Sequence, residues 1–443
     1  MNRLPRQAVE QALAAARPHE IVEAALEIST TTTVTVSDDA LESSEDRRDQ
    51  GLGIRLFAGG RIGFAATSDL SEAAVTEAVE RARDLAACAR QEEENCPAPA
   101  GDPADPGAES EPEPVPPAPL VDPARSLEAA ARRHDDQLRT RAASITAGSG
   151  RWIVAHSAGM WRSWSWQRAW ASLEVVALRQ GVRQTGWESD WGVEWTDLDV
   201  ETTGRAAAER AMSKFDARRP ATARTAVVLS PTVTAGLFET LAAALSGKAV
   251  VRGRSLFAES VGKTVASPSV TLTDHGDRPD GFAAAPFDGE GQPSRPTVLI
   301  RNGVLEGFLH NTYTALKLDS PPTGHGVRDE YSSLPHVGIR NLLLEPSGPS
   351  RQEILGMVTT GVLVEEVMGL HTIDPVSGDF SLGASGRALE NGQPGGALEG
   401  FTVAGNIREV LAAIQAVGDD VRFLPGGAGG STVLLDGLTI SGT

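Results

Sequence analysis

The chain has 443 residues, 40% of them hydrophobic, which is enough length for two or three domains and enough apolar surface to pack them. Lysine and arginine total 40 against 59 aspartates and glutamates, a net charge of −19 that repels nucleic acid and anionic membrane. The two basic clusters, at 132–136 and 216–220, are short and internally compensated, and no run of about 18 apolar residues exists to cross a membrane.

Taken in order, Arg6 to Arg17 places Val9, Leu13 and Ala16 on one face and reads as a helix stopped by Pro18. Residues 1–20 lack a basic start followed by an apolar run and a cleavage site, so no signal peptide is expected. With only Cys88 and Cys96 present, a cytoplasmic protein is the expectation. Glu20 to Val36 is β-branched and apolar. Gly51 to Phe57 and Arg61 to Ala66 flank Gly59-Gly60 as a hairpin, and Ser71 caps a helix that runs to about Ala89. Helix, strands and helix in the first 90 residues predict an α+β unit with helices on an antiparallel sheet.

Glu92 to Asp122 differs in kind. Ten prolines between Pro97 and Pro123, a Glu92-Glu93-Glu94 run and few large apolar residues predict a disordered acidic linker over 91–123. Beyond it, Pro123 to Ala143 reads as an amphipathic helix and Ser144 to Ala177 as strands. All eight tryptophans lie from Trp152 to Trp195. Trp164, Trp166 and Trp170 share one face of a strand, either as structural packing or as an aromatic wall for an extended peptide or a partner. Glu201 to Phe215 is a helix, and Arg218-Arg219-Pro220 marks a boundary.

Thr225 to Leu229 is a short buried strand, Ser230-Pro231 a helix start, and Thr232 to Leu245 a helix ended by Ser246-Gly247. Strands and turns follow almost throughout, including an Asn302-Gly303 hairpin, and predict a closed or strongly curved β domain. Leu363 to Gly386 contains turns at Asp374-Pro375 and Ser377-Gly378. It then alternates large and small residues from Asp379 to Gly386, the pattern of a strand with one buried face that another backbone can approach.

Catalytic signatures are missing. The one His-Glu pair, His19-Glu20, is followed by no histidine until His134, and no Gly-x-Ser-x-Gly or phosphate loop occurs. A metal site would have to be assembled from distant side chains such as His325, His336 and His371.

The wording of Gly303 to Leu318 (GVLEGFLHNTYTALKL), of Gly361 to Gly386, of Phe401 to Leu411 and of Ala416 to Gly427 resembles the TldD/PmbA family of metallopeptidase-related proteins, and its PmbA (TldE) branch in particular. Members of the TldD branch carry His-Glu-x-x-x-His on a helix of the C-terminal domain, with a cysteine near the C-terminus as a further ligand. By motif position, Phe238, Glu239 and Ala243 stand for that triplet, and Val417 stands near the cysteine. The resemblance therefore implies a chain with no metal and no catalytic residue of its own. It would pair with a zinc-bearing TldD-like subunit as a heterodimer, or with itself as a homodimer, in a peptidase that acts on unfolded or small peptides. Asp379, Ser381, Ser385 and His371 are the candidate peptide-lining residues, and Trp164, Trp166 and Trp170 the candidate aromatic surface. The alternatives are a stand-alone peptide-binding adaptor and a hydrolase with an unrecognised site.

The expected architecture is α+β, with an N-terminal antiparallel sheet with packed helices and a C-terminal mainly-β, curved or barrel-like domain. Its expected boundaries are 1–90, the linker 91–123, 124–220 as the second part of the N-terminal domain, and 221–443.

Overall fold

The β-branched run after Pro18 forms the strand at the centre of the first half of the chain. In the computed structural model, which describes residues 3–100, 112–135 and 137–442, α1 (Arg3–Ala14) leads into this strand, β1 (Glu20–Ser37). With β2 (Ala40–Ala58), β3 (Arg61–Thr67), β4 (Leu138–His156), β5 (Met160–Arg179) and β6 (Val182–Gly192), β1 makes an antiparallel sheet in the order β3-β2-β1-β4-β5-β6. Alternation along β1 sends Val22, Ala24, Leu26 and Ile28 to one face and Glu23 and Glu27 to the other. Helices α1 and α2 (Glu72–Cys88) cover the first face over β1 to β3, closing a core of Leu26, Leu52, Ile54, Leu56, Val75 and Val79. Helices α3 (Ala118–His134) and α4 (Val200–Ser213) cover the β4 to β6 half around Leu120, Leu127, Ile145, Leu173 and Val175. These elements, with Arg328–Leu334, form one of two compact units.

Two expectations change here, and one strand appears over a stretch whose pattern predicts none. The helix expected over 123–143 begins at Ala118 and ends at His134, and Leu138 already opens β4. Pro117 at its start and the fully buried Leu120 and Leu127 fix that earlier beginning. The charged stretch 40–50 is strand, because each residue from Ala40 to Gln50 except Glu42 pairs with β1 across a two-residue turn at Asp38-Asp39. The expected linker has fixed ends: Ala98 is buried with its carbonyl against His156 Nε2, and Leu120 packs under the sheet. Residues 101–111 of that linker lie outside the described residues.

The second unit comprises Asp216–Val327 and Pro335–Thr443. It opens with β7 (Ala223–Leu229), α5 (Pro231–Ala242) and α6 (Gly247–Val251), then β8 (Leu272–His275), β9 (Pro296–Arg301), β10 (Val304–Leu305) and α7 (Thr312–Lys317). Next come β11 (Gly326–Val327), β12 (His336–Val337), β13 (Leu342–Leu344), α8 (Arg351–Gly356), β14 (Thr360–Met368) and β15 (Asp379–Glu390). The chain closes with β16 (Gln393–Asn406), α9 (Ile407–Ala413), β17 (Ile414–Val417), β18 (Arg422–Phe423), β19 (Ala428–Gly430) and β20 (Val433–Ser441).

Strands β16-β15-β14-β7-β20 are closed into a five-stranded barrel by the pairing of β16 with β20, as the strand-and-turn pattern predicts. Val227, Val364, Leu382, Phe401, Val403 and Leu435 belong to its core. The close backbone approach predicted for the small residues of β15 occurs at Gly386, where a Cβ would lie 1.9 Å from the Leu363 carbonyl oxygen. A second sheet runs β10-β9-β8-β13-β19-β18, and Asn302 (φ 48°) and Gly303 (φ 83°) make its predicted hairpin turn.

Candidate functional site

Helix α5 is the element on which the sequence places the degenerate metal motif. Ser230 Oγ accepts from Val233 N and Pro231 fills the first helical position, so the helix starts where β7 ends. Val233, Leu237, Phe238 and Leu241 belong to the hydrophobic core of the second unit. Glu239 and Ala243 lie on the exposed side, Ala243 as the C-cap. The glycine-rich run 426–430 packs along this helix. A Cβ at Gly430 would lie 2.2 Å from the Pro231 carbonyl oxygen, and one at Gly426 would lie 2.1 Å from Glu239 Oε1. The Glu239 carboxylate therefore rests on backbone, and the resulting desolvation raises its pKa above the ordinary carboxylate value. Val417 sits fully buried in β17, opposite Val433. Phe238, Ala243 and Val417 offer no metal ligand. Among the described residues no group of three or more His, Cys, Asp or Glu side chains is placed to hold a metal ion.

Three of the candidate lining residues, Asp379, Ser381 and Ser385, fall on one side of β15. Phe380, Leu382 and Ala384 point into the core, so Asp379, Ser381 and Ser385 point outward. Asp379 Oδ1 accepts from Asn406 Nδ2 at 2.7 Å, and Ser385 Oγ donates to Glu366 Oε2 at 3.1 Å. Val376 N and Ser377 N both donate to Asp374 Oδ1, which fixes the turn before the strand. His371 is exposed in the short helical turn Leu370–Thr372.

The set His325, His336 and His371 is not assembled. His371 is exposed, His336 is half-buried in β12, and His325 is buried beside Asp274 with Nε2 3.2 Å from Oδ1. That contact belongs to a sealed polar cluster of Asp274, Asp288, Glu290, His310, Arg340 and Asn341, which sequence reasoning missed. Asp274 accepts from the backbone N–H groups of Arg340 and Asn341. Burial opposes its charge, but the His325 imidazole and these donors outweigh burial and hold its pKa low. Asp288 accepts from the backbone of Glu290, Gln292 and Gly326, yet burial and then the Glu290 charge push its pKa up to about 6. Burial, and then His325, pulls His310 down to about 4. The one sequence signal was Phe287 to Pro293, where two carboxylates flank a glycine in an otherwise apolar and turn-rich setting.

In the first unit, register puts Trp152, Trp164, Trp166, Trp170, Trp187 and Trp191 on the sheet face opposite the helices. Trp164 is buried and stacks on Trp152 at 6.2 Å, while Arg168 lies over Trp166 at 5.4 Å. Gly150 makes room for the Trp166 ring, which a Cβ would meet at 2.7 Å. On the same face Glu23 is fully buried between Arg55 and Arg328 and pairs with both.

Comparison with known proteins agrees with this architecture. Residues 22–86 match the PmbA/TldA metallopeptidase domain 1, residues 110–215 the central domain, and residues 222–442 the C-terminal domain. Metalloprotease PmbA of Escherichia coli O157:H7 is 29% identical over 432 residues, covering 94% of this chain and 91% of that protein. A metalloprotease TldD homologue of Haemophilus influenzae is 23% identical over 446 residues, covering 92% and 90%. The crystal structure of TldE from Thermococcus kodakarensis superposes with a TM-score of 0.85 at 24% identity, over 100% of both chains.

Proposed function

This chain belongs to the PmbA/TldD metallopeptidase family, and from that premise we propose that it is a TldE-like, non-catalytic subunit that pairs with a zinc-bearing TldD-like subunit. One observation carries the reading. Phe238, Ala243 and Val417 stand where the resemblance places the metal ligands, and Phe238 and Val417 are buried in the hydrophobic core of the second unit. Glu239 alone could polarise water, but a lone carboxylate cannot hold Zn²⁺ in a three- or four-ligand site. Over more than nine-tenths of the chain, identity is 29% to a PmbA protein and 23% to a TldD homologue, and the TldD homologues that match at 28–29% cover 47% of it, which supports the same branch.

On this reading the chain closes a peptide chamber and holds substrate in extended form. Main-chain hydrogen bonding to an added strand selects for unfoldedness rather than for particular side chains. Asp379, Ser381, Ser385 and His371 are the polar groups it would offer, and Trp164, Trp166 and Trp170 belong to an aromatic face suited to apolar side chains.

The test mixes purified chain with a zinc-bearing TldD-like protein and follows cleavage of an unstructured peptide. Cleavage should require both proteins and be stopped by a chelator. A partner equally active alone, or chelator-sensitive cleavage by this chain alone, overturns the proposal.

A further inference from the structure

The helix-covered face of the first unit has a gap. One apolar core underlies α1 and α2 and another underlies α3 and α4. Between them the register leaves a polar saddle of Thr30, Ser149, Arg151 and Ser163. Here lies a pocket of about 220 Å³, lined by Ile28, Thr30, Arg48, Ser149 and Arg151 and roofed by Pro112 and Pro114.

Arg151 is only 6% exposed, yet no described carboxylate pairs with it; its Nε donates to Ser163 Oγ at 3.0 Å. Of the other buried arginines, Arg55 and Arg328 share Glu23, while Arg340 donates to the carbonyls of Ala283 and Phe287 and Arg162 to those of Trp161 and Ala100. Arg151 differs in opening onto a pocket. A buried guanidinium without a counter-charge is costly, and this chain has an excess of carboxylates from which one could have been supplied. The second lining cation, Arg48, is exposed and likewise makes no ion pair with a described residue. Glu113, between the two roofing prolines, is exposed.

We propose that this pocket binds a small oxyanion, a carboxylate or a phosphate, with the free edge of the Arg151 guanidinium as its principal contact and Arg48 as the outer cation. A planar guanidinium fork matches both anions, and the hydroxyls of Thr30 and Ser149 are available beside it. The apolar rim of Ile28, Pro112 and Pro114 suits an anion that carries a short organic body, such as the C-terminal residue of a peptide.

Isothermal titration of the full chain tests this with three probes: inorganic phosphate, a short peptide with a free C-terminus, and the same peptide amidated. The expected result is saturable binding of the free-acid peptide or of phosphate at millimolar concentration or below, with none for the amidated peptide. Whichever of the two anions binds identifies the source. Arg151→Gln should weaken that binding by at least about tenfold, the scale of one lost charge-assisted contact. Its thermal midpoint should not fall, since an uncompensated charge is removed. Arg48→Gln, at an exposed position that cannot affect folding much, should weaken binding severalfold. Absence of binding by either anion overturns the proposal, as does binding that Arg48→Gln and a folded Arg151→Gln leave unchanged.

Discussion

Nε2 of His325 lies 3.2 Å from Oδ1 of Asp274, with both side chains cut off from solvent. The contact is close enough for an ion pair, and the backbone donors at Arg340 and Asn341 add to it in holding the charge of Asp274. These groups join β8 to the strand-bearing segment that precedes β13, inside the second sheet.

Asp274→Ala should therefore be severely destabilising, by about 3–5 kcal/mol, because it strands buried donors and a buried imidazole. The folded pKa of Asp274 is depressed below 3.8, so its contribution is fully present above that value and disappears as pH falls through the folded value. Urea titration of wild type and variant at neutral and acid pH measures both effects. Equal stability of the two proteins at neutral pH would sink the idea.

Asp288 titrates in the opposite sense. Its folded pKa of about 6 lies above the ordinary 3.8, so the folded state holds its proton more tightly than the unfolded chain does. This group removes stability progressively as pH rises from about 4 to 6, and its cost is constant above. Glu290→Gln deletes the neighbouring charge, so the variant's thermal midpoint should fall less than wild type over that window. Parallel curves would show that Glu290 is not a cause.

The aromatic face divides into structural and exposed members. Trp164 is 8% exposed and stacked, so Trp164→Ala should cost about 3–5 kcal/mol. Trp187 is 52% exposed, and Trp187→Ala should change stability by less than about 0.5 kcal/mol. Denaturation followed by circular dichroism separates the two. If Trp187→Ala instead weakens binding of an unstructured peptide at unchanged stability, the face is a peptide surface.

Restoring ligands as Phe238→His, Ala243→His and Val417→Cys should not create a zinc site. Phe238 and Val417 are core residues, and a polar group placed there costs about 1–3 kcal/mol, with no hydrogen-bonded support to orient it. Elemental analysis of the wild-type chain is expected to find far less than one zinc per chain, and the triple variant should be less stable. A stoichiometric zinc in the wild type, lost on mutating His325, His336 or His371, would contradict this.

Leu120 tests the start of α3. It is fully buried within the stretch whose composition reads as linker, and Leu120→Ala should cost about 2–5 kcal/mol. A thermal midpoint equal to wild type would mean that the segment does not hold the helix in place.

Local pattern carried much of the architecture. The β-branched run at Glu20, the Gly59-Gly60 and Asn302-Gly303 turns, the Ser71 and Ser230 caps and the alternation in Asp379 to Gly386 each depend on neighbours a few residues away, and each appears as expected. The loss of ligands on α5 is equally local, because residue type decides it. What sequence could not supply was set by long-range pairing and burial. The charged stretch 40–50 is strand because β1 offers it a partner, a matter of register rather than of propensity. The acidic Pro-rich composition concealed Ala98 and Leu120, whose burial depends on the sheet above them. The cluster of Asp274, Asp288, Glu290, His310 and His325, and the pocket around Arg151 beneath Pro112 and Pro114, exist only once strands distant in sequence are hydrogen-bonded side by side. Charge on a polar side chain is legible in one dimension. Whether that charge is solvated, paired or stranded is decided in three, because desolvation and Coulomb energy depend on distance through space.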